Sequence, residues 1–312
     1  MTISTLTLNP ALDRSMIFED FRAGQLNRAM SSVTTVGGKG INVSRVLNAC
    51  GVQTVAYGFY GGQNGETMQR MLETEGVSYN FTRTRAETRM NIKLLTTGGE
   101  ATEASESGGP VTADELDELL TKLDYHFRNQ KPHCFVISGS APRGIDVSVY
   151  GKIVNNAREN GIKTVLDCDR EALKQGISAS PYLIKPNLFE LEQYAGRKLL
   201  CIEEIINFTL RLHRETGIKI LLTLAEKGAM YIGHEGVYTV SSPKVQMRGF
   251  TGAGDSFLAA FLSSYEDGGS IETALRHASS FAAAKVELEG TKIPDVSGKT
   301  KYFDVIKVEK II

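Results

Sequence analysis

The sequence has few cysteines and histidines, and neither type is grouped. Its four cysteines lie far apart and form no C-x-x-C pair, and its five histidines lack the spacing of metal ligands. Structural zinc sites need several such ligands at short intervals, so this pattern argues against a zinc protein. Reduced thiols in the cytosol are the simplest interpretation of the cysteines.

An excess of charge of either sign and long apolar runs are also missing. Lys and Arg together number 35 and Asp and Glu 36, which leaves a net charge of -1. A general nucleic-acid binder would be basic, so any anionic ligand must be held by a local cluster. No apolar run approaches the ~18 residues of a membrane span, and the N-terminus lacks the pattern of a signal peptide. We therefore expect a cytoplasmic protein with neither nucleic-acid nor membrane partners.

The sequence does contain the alternation of strands and helices that is typical of an α/β fold. Besides a first strand near the N-terminus, the patterns predict strands at 134–138, 163–167, 182–185 and 218–224 and helices at 147–160 and 202–216. Such alternation implies a mostly parallel sheet with helices on both faces, and ligands bind at the carboxyl ends of its strands. The length favours one large domain with an insertion, or two modest domains.

Two segments, residues 10–36 and 86–104, interrupt this alternation. Both are rich in Thr, Ser and Arg and contain alternating apolar positions, which predicts antiparallel strands of a small sheet. We interpret them together as one lid over the edge of the large sheet. Ordinary edge strands are the alternative.

The strongest chemical signal is the run Gly249-Phe-Thr-Gly-Ala-Gly-Asp255, followed by an amphipathic helix predicted at 256–265. Glycines present successive backbone N–H groups, and a helix start carries unpaired donors and a positive dipole end. Together they form an anion hole for a phosphate. Asp255 at its mouth could accept the proton of an attacking hydroxyl, and the helix start should keep this carboxylate ionised. The alternative is a plain N-cap on a glycine-rich turn.

A second glycine-rich run spans residues 36–44 and leads into a helix predicted at 43–50. It matches neither the dinucleotide fingerprint G-x-G-x-x-G nor the P-loop G-x-x-x-x-G-K-[ST], so neither of those binding modes follows. Lys39 could meet a phosphate, and Asn42 could bind a sugar hydroxyl at the helix start. A helix N-terminus with flexible glycines is the structural alternative.

Three weaker signals complete the set. Asn187 and Glu190 are three residues apart, so they can face one cavity and suit water-mediated Mg²⁺ binding. The same spacing also fits a helix cap with a Glu at its third position. Asp13 could bind two sugar hydroxyls, and the guanidinium of Arg89 could bind a phosphate through two hydrogen bonds.

In this order, the motifs resemble the PfkB branch of the ribokinase family of carbohydrate kinases, from the first strand to about Pro294. The resemblance rests on Gly37-Gly-Lys-Gly-Ile-Asn42 and Gly252-Ala-Gly-Asp255, with the Asn-Pro-Ala-Leu-Asp, Thr-Arg and Ile-Lys-Pro-Asn-x-x-Glu runs between and around them. Within the family, the chain looks most like the ketose-phosphate kinases. The resemblance implies one ribokinase-like domain over residues 1–312, with a Rossmann-like sheet and a small β-sheet lid that forms a homodimer.

The resemblance also implies roles for individual residues. Asp255 would be the catalytic base, in an anion hole lined by Gly252, Ala253 and Gly254. The sugar phosphate would be held by Asp13, Gly38, Lys39, Asn42 and Arg89. ATP and Mg²⁺ would be held by Lys185, Asn187, Glu190, Thr223, Ala225, Gly228, Thr251 and Gly254, with Glu190 contacting the metal through water. The expected reaction converts fructose 1-phosphate to fructose 1,6-bisphosphate, with tagatose 6-phosphate or fructose 6-phosphate as the alternative acceptor.

The chain departs from the family pattern at three places. Ala225 replaces a glycine in the turn Thr223-Leu-Ala-Glu-Lys-Gly228, Gly249-Phe250 replaces a polar pair, and Arg143 replaces a proline near the expected sugar site. A sugar-phosphate sensor on the same fold is the non-enzyme alternative, but it would be expected to lose the aspartate or the anion hole. A nucleoside kinase would have less use for Lys39 and Arg89.

Overall fold

Short apolar segments assemble into two sheets in the computed structural model, which describes residues 1–247, 249, 251–288 and 290–312. The strands in chain order are β1 (Ile3–Thr7), β2 (Ala11–Phe18), β3 (Ser31–Gly37), β4 (Val55–Tyr60), β5 (Ser78–Arg83), β6 (Arg89–Thr96), β7 (Ala101–Ser105), β8 (Cys134–Ser138), β9 (Lys163–Asp167), β10 (Leu183–Ile184), β11 (Lys219–Thr223), β12 (Ala229–Gly233), β13 (Gly236–Val240) and β14 (Val308–Lys310).

The α-helices are α1 (Lys39–Ala49), α2 (Gly62–Thr74), α3 (Ala113–Tyr125), α4 (Ser148–Glu159), α5 (Arg170–Ser178), α6 (Leu188–Ala195), α7 (Ile202–Thr216), α8 (Ala253–Tyr265) and α9 (Ile271–Val286). Shorter helical turns cover His126–Gln130, Ala225–Lys227, Val296–Lys299 and Phe303–Val305. In the described part of the chain, no helix combines the length and the apolar composition needed to cross a bilayer.

The large sheet is mostly parallel, as predicted. Its order is β14-β13-β12-β11-β10-β9-β8-β1-β4-β5. Neighbours from β5 to β11 run parallel, whereas β12, β13 and β14 are antiparallel additions at one edge. The carboxyl ends of the parallel strands therefore share one edge, where ligands of such sheets bind.

Two apolar layers cover the faces of this sheet, and alternate residues of one strand enter different layers. Phe135 and Ile137 of β8 pack with α3, α4, α5, α6 and α7, whereas Val136 packs with α1, α8 and α9. Helix α8 lies between the sheet and α9, so residues 255–264 are buried on all sides. A helix fixed so firmly gives a rigid position to the residues at its start.

The second sheet contains both segments that interrupt the alternation, in the order β3-β2-β6-β7. The pairs β2–β3 and β6–β7 are antiparallel, but β2 and β6 run parallel, so the expectation of a wholly antiparallel sheet was wrong. Between β2 and β6 the chain passes through β3, α1, β4, α2 and β5. A crossover of that length can return the chain in the same direction, which a short hairpin cannot do.

Helix starts at the glycine runs differ from the sequence expectation. Helix α1 begins at Lys39, not near residue 43, because only Gly38 takes the positive φ, 112°, of the bend. Gly40 is already helical, and a Cβ there would lie 2.5 Å from the carbonyl oxygen of Leu6. Helix α8 begins at Ala253 after Gly252, whose φ is 83°. Asp255 is therefore the third residue of α8 and not its N-cap.

Candidate active site

The buried carboxylate of Asp255 lies where the first turns of α1 and α8 meet. Asn42, in the first turn of α1, donates a hydrogen bond of 2.8 Å from Nδ2 to Asp255 Oδ2. A Cβ on Gly252 would lie 3.7 Å from that same Nδ2. The two glycine-rich runs, although 213 residues apart in the chain at this hydrogen bond, therefore form one site.

Burial, and after it the nearby Asp167, raise the pKa of Asp255 to about 6 in spite of the opposing effects of Lys39, Asn42 and Lys185. The helix start was expected to keep this carboxylate ionised. Burial and a like charge instead outweigh any favourable field there. At pH 7 the ionised form of Asp255 still exceeds the protonated form by about ten to one, since each pH unit changes the ratio of the two forms tenfold.

A cluster of four charged side chains lies beside Asp255, at the carboxyl ends of the parallel strands. Asp167, the last residue of β9, is fully buried and contacts Lys39 Nζ at 3.4 Å and Lys185 Nζ at 3.2 Å. Lys39 also lies 3.8 Å from Glu190 Oε1. Asp167 belongs to none of the motifs recognised in the sequence. Its place at the end of a parallel strand was the one available signal.

The two lysines decide the ionisation of Asp167. Burial would raise its pKa, but Lys185 and Lys39 outweigh burial and lower it. Asp167 in turn raises the pKa of Lys39 above the usual range. Glu190 responds differently, because burial raises its pKa although Lys39 opposes the change. The cluster therefore keeps Asp167 and Lys39 charged.

Asn187 and Glu190 form the helix cap that the sequence left open as an alternative. Asn187 Oδ1 accepts from the Glu190 backbone N–H at 2.8 Å, and Glu190 Oε2 accepts from the Asn187 N–H at 2.9 Å. Glu190 Oε1 remains on the Lys39 side. One carboxylate thus caps α6 with one oxygen and faces the charged cluster with the other.

On the lid side, Asp13 is held by two side chains of β6. Asn91 Nδ2 donates to Asp13 Oδ1 at 2.8 Å, and Lys93 Nζ lies 3.2 Å from Asp13 Oδ2. Lys93 also donates to Thr251 Oγ1 at 2.9 Å. One buried ammonium therefore links the lid to the glycine-rich turn before α8. Sequence analysis missed both β6 residues, although alternate strand positions share a face with Arg89.

Arg89 lies at the start of β6 and is held mainly by backbone oxygens. It donates to Glu106 O at 2.9 Å, to Asn91 Oδ1 at 3.1 Å and to Asn9 O at 3.3 Å. It borders an open surface pocket that Asn9 and Gly108 also line. Lys39 and Arg89, both predicted to hold phosphate, thus have different surroundings: carboxylates for Lys39 and loop carbonyls for Arg89.

One departure from the family pattern, Ala225 in place of a glycine, lies in the turn after β11. Ala225 has a φ of 54°, and Gly228 has a φ of 94°. Ala225 therefore takes the left-handed conformation that glycine favours, at a cost of about 1–2 kcal/mol. Thr223 N donates to Pro186 O at 3.0 Å, which places this turn beside the start of α6.

The other two departures have different outcomes. Arg143 donates from Nε to Gly108 O at 3.2 Å, so it holds the loop beside Arg89. Gly249 N donates to Val286 O at 3.1 Å, which anchors the turn before α8 to the end of α9. Phe250 lies outside the described residues.

Comparison with known proteins agrees with the geometry. A family model described as pfkB family carbohydrate kinase matches residues 7–297. The chain is 33% identical over 276 residues to a protein named 1-phosphofructokinase from Borreliella burgdorferi. The matched region covers 88% of each chain. It is 33% identical over 274 residues to the 1-phosphofructokinase of Bacillus subtilis, which covers 88% of this chain and 89% of that one.

Solved structures agree as well. Phosphofructokinase-2 from Escherichia coli, in complex with substrates and products, has a TM-score of 0.91 at 25% identity, over 98% of this chain and 99% of that one. The ribokinase-like fold with a separate small sheet is thereby confirmed. The chain belongs to the pfkB family of carbohydrate kinases.

Proposed function

We propose that this protein transfers the γ-phosphoryl group of ATP to fructose 1-phosphate and forms fructose 1,6-bisphosphate. Family membership makes it a phosphotransferase, and the relatives named 1-phosphofructokinase support this acceptor. The observation that carries the proposal is the buried carboxylate of Asp255, held by Asn42 beside a glycine turn that begins a helix.

In the proposed reaction, Asp255 accepts the proton of the sugar's primary hydroxyl as its oxygen attacks the γ-phosphorus. The new O–P bond forms while the bond to the β-phosphate oxygen breaks, and ADP leaves. Such transfers depend on in-line positioning and on neutralising charge. Backbone N–H groups of Gly252, Ala253 and Gly254 would stabilise the charge on the transferred group.

The carboxylates of the charged cluster suit Mg²⁺. The protein alone would not complete the site, because no three His, Cys, Asp or Glu side chains among the described residues could hold a metal ion together. Mg²⁺ is typically held by one or two carboxylates, with phosphate oxygens and water as its other ligands. Glu190 and Asp167 supply two carboxylates here. When bound, the metal would neutralise charge on the triphosphate.

The remaining positions divide between the nucleotide and the sugar. The glycine run Gly252-Ala-Gly254 at the start of α8 is called the anion turn below. Lys185 lies under it, since a Cβ on Gly254 would be 3.5 Å from Lys185 Nζ. We assign the triphosphate to Lys185, Asn187, Glu190 and Thr251, and the nucleoside to the turn with Thr223, Ala225 and Gly228. We assign the sugar hydroxyls to Asp13, Gly38 and Asn42 and the sugar's phosphate to Arg89. Lys39 would then neutralise charge between the two substrates.

The acceptor can be tested directly. We expect kcat/KM for fructose 1-phosphate to exceed the values for tagatose 6-phosphate and fructose 6-phosphate by tenfold or more under one set of conditions. Ring hydroxyls must carry this preference, because all three sugars have a phosphate at one end and a primary hydroxyl at the other. A tenfold preference for either 6-phosphate would replace the proposed acceptor, and inactivity on all three would refute the proposal.

Asp255→Asn tests the catalytic base. Removing a general base should lower kcat by roughly 10²–10⁴, with little change in sugar binding measured by calorimetry. Asp267→Asn is the matched control, because it makes the same change at an exposed position in the turn that follows the same helix. Turnover of Asp255→Asn within a few-fold of the wild type would disprove the assignment.

The raised pKa of Asp255 in the free enzyme predicts an acid limb in kcat/KM. A base must be deprotonated, so kcat/KM should be lost as pH falls through about 6. Asp167→Asn removes the like charge that, after burial, raises this pKa, so the midpoint of the limb should move to lower pH. Glu266→Gln removes a buried carboxylate paired with Lys163 instead and should leave the midpoint unchanged. A midpoint that stays fixed or rises in Asp167→Asn would contradict the assignment of the limb.

We further propose a homodimer through the lid in a cytoplasmic enzyme. Three apolar side chains are exposed on the lid: Leu26, Met30 and Val33. Leu26 and Met30 lie in the loop between β2 and β3, and Val33 lies in β3. A contiguous exposed apolar patch is typical of an interaction surface. Light scattering should give a dimer mass for the wild type and a monomer mass for Val33→Asp, whereas Val305→Asp, at an exposed valine outside the lid, should remain dimeric. A monomeric wild type would refute the dimer.

A further inference from the structure

A lysine that belongs to none of the motifs described above lies behind the anion turn. Lys285, the penultimate residue of α9, has no exposed surface. Lysines are almost never fully buried unless they are paired. Its Nζ donates to Gly290 O at 2.8 Å. A Cβ on Gly252 would lie 3.6 Å from Lys285 Cε, so this side chain passes directly beneath the glycine that precedes α8.

The segment that Lys285 holds is joined to both the lid and α1. Thr291, the next residue after Gly290, donates from Oγ1 to Val36 O at 3.0 Å and to Thr35 Oγ1 at 2.6 Å. Arg45 of α1 donates to Thr291 O at 2.9 Å. The hydrogen bond of Lys285 therefore connects the end of α9 to the strand and the helix that frame the second glycine run.

The same arginine continues the network to the proposed base. Arg45 Nη1 lies 3.4 Å from Asn42 Oδ1, and Asn42 donates through Nδ2 to Asp255. The acceptor on one side of the Asn42 amide is thus satisfied by a cation, which leaves its donor directed at the carboxylate. Lys285 stands at the other end of this chain of contacts.

Among the residues that the structure describes, three charged groups face the ammonium from the elements packed against it: Arg45 from α1, Lys93 from β6 and Asp255 from α8. Burial, followed by Arg45 and Lys93, lowers the pKa of Lys285 to about 8, although Asp255 opposes the change. At pH 7 the side chain is therefore still charged by about ten to one. A fixed positive charge lies behind the turn that would receive a phosphoryl group.

We propose that Lys285 is a positioning residue for phosphoryl transfer. Its hydrogen bond to Gly290 would hold the anion turn against the segment that orients Asn42. Its ammonium would also favour the negative charge that develops on the transferred group in a site closed to water. The inference rests on the proposed transfer function, because it assigns Lys285 to that step.

Lys285→Met tests this inference, because Met keeps the length of the side chain and removes its charge and its donor. We expect kcat to fall at least about tenfold, while KM for the sugar phosphate changes less than about threefold. Lys219→Met is the control, since it removes another buried lysine that is bonded to Glu235 instead. A wild-type kcat in Lys285→Met would overturn the inference.

The pH dependence provides a readout that a merely structural lysine would not affect. If the charged form is required, the wild-type kcat/KM should fall as pH rises through about 8, the pKa in the free enzyme. This alkaline limb should be absent in Lys285→Met and present in Lys219→Met. A wild-type kcat/KM that is flat across this range overturns the inference, and this decides the question even if the Met variant does not fold.

Stability separates failure of this inference from failure of the proposed function. Because the pKa of Lys285 is lower in the folded state than its usual 10.5, the unfolded chain binds the proton more tightly. The free energy of unfolding of the wild type, relative to Lys285→Met, should therefore rise between pH 8 and pH 10.5. If the difference in free energy of unfolding does not change with pH, the pKa of Lys285 is not lowered by burial and the inference is wrong. Inactivity of the wild type on every sugar phosphate would instead refute the transfer function.

Discussion

The hydrogen bond from Asn42 to Asp255 joins two helix starts, and the geometry of the site depends on it. Neither helix could start there with an ordinary residue at its bend. Gly38 and Gly252 both take positive φ values, and Gly40 fits against the end of β1 only because it has no side chain. The N–H of the next residue, Ile41, donates to Thr7 Oγ1 at 2.9 Å. The edge of the sheet thus fixes α1, and α1 fixes the carboxylate.

Two neighbouring carboxylates are given different properties by their partners. Asp167 is paired with Lys39 and Lys185, which lower its pKa. Asp255 is hydrogen-bonded to a neutral amide, and both burial and Asp167 raise its pKa. When environments separate the pKa values of two such groups, one serves as a permanent charge and the other as a proton acceptor. Asp167 suits the first role and Asp255 the second.

The sequence predicted much of this fold because the strands are short, apolar and bounded by clear turns. The strands at 134–138 and 163–167 and the helix at 202–216 have the predicted bounds. Asp255 and Asn42 lie in glycine-rich runs whose local chemistry is evident without a structure. The parallel pairing of β2 with β6 was not predictable, because it depends on where a long crossover returns the chain.

The site residues that were not predicted lie in no recognised motif. Asp167 gains its role from Lys39, which lies 128 positions away in the chain. Lys93 gains its role from a turn 158 positions away, and Lys285 from the glycine turn that it underlies. Ala225 shows the reverse case, because an unfavourable residue keeps a glycine-like φ where the surrounding turn requires it.

Titration of the Asp255 carboxyl by carbon-13 NMR tests the account most directly, with the signal assigned by its loss in Asp255→Asn. The account predicts a pKa of about 6 in the free enzyme, well above the usual 3.8. A pKa at or below 3.8 would contradict the account, because Asp255 would then be an ordinary ionised carboxylate and its burial beside Asp167 would not tune it for proton transfer.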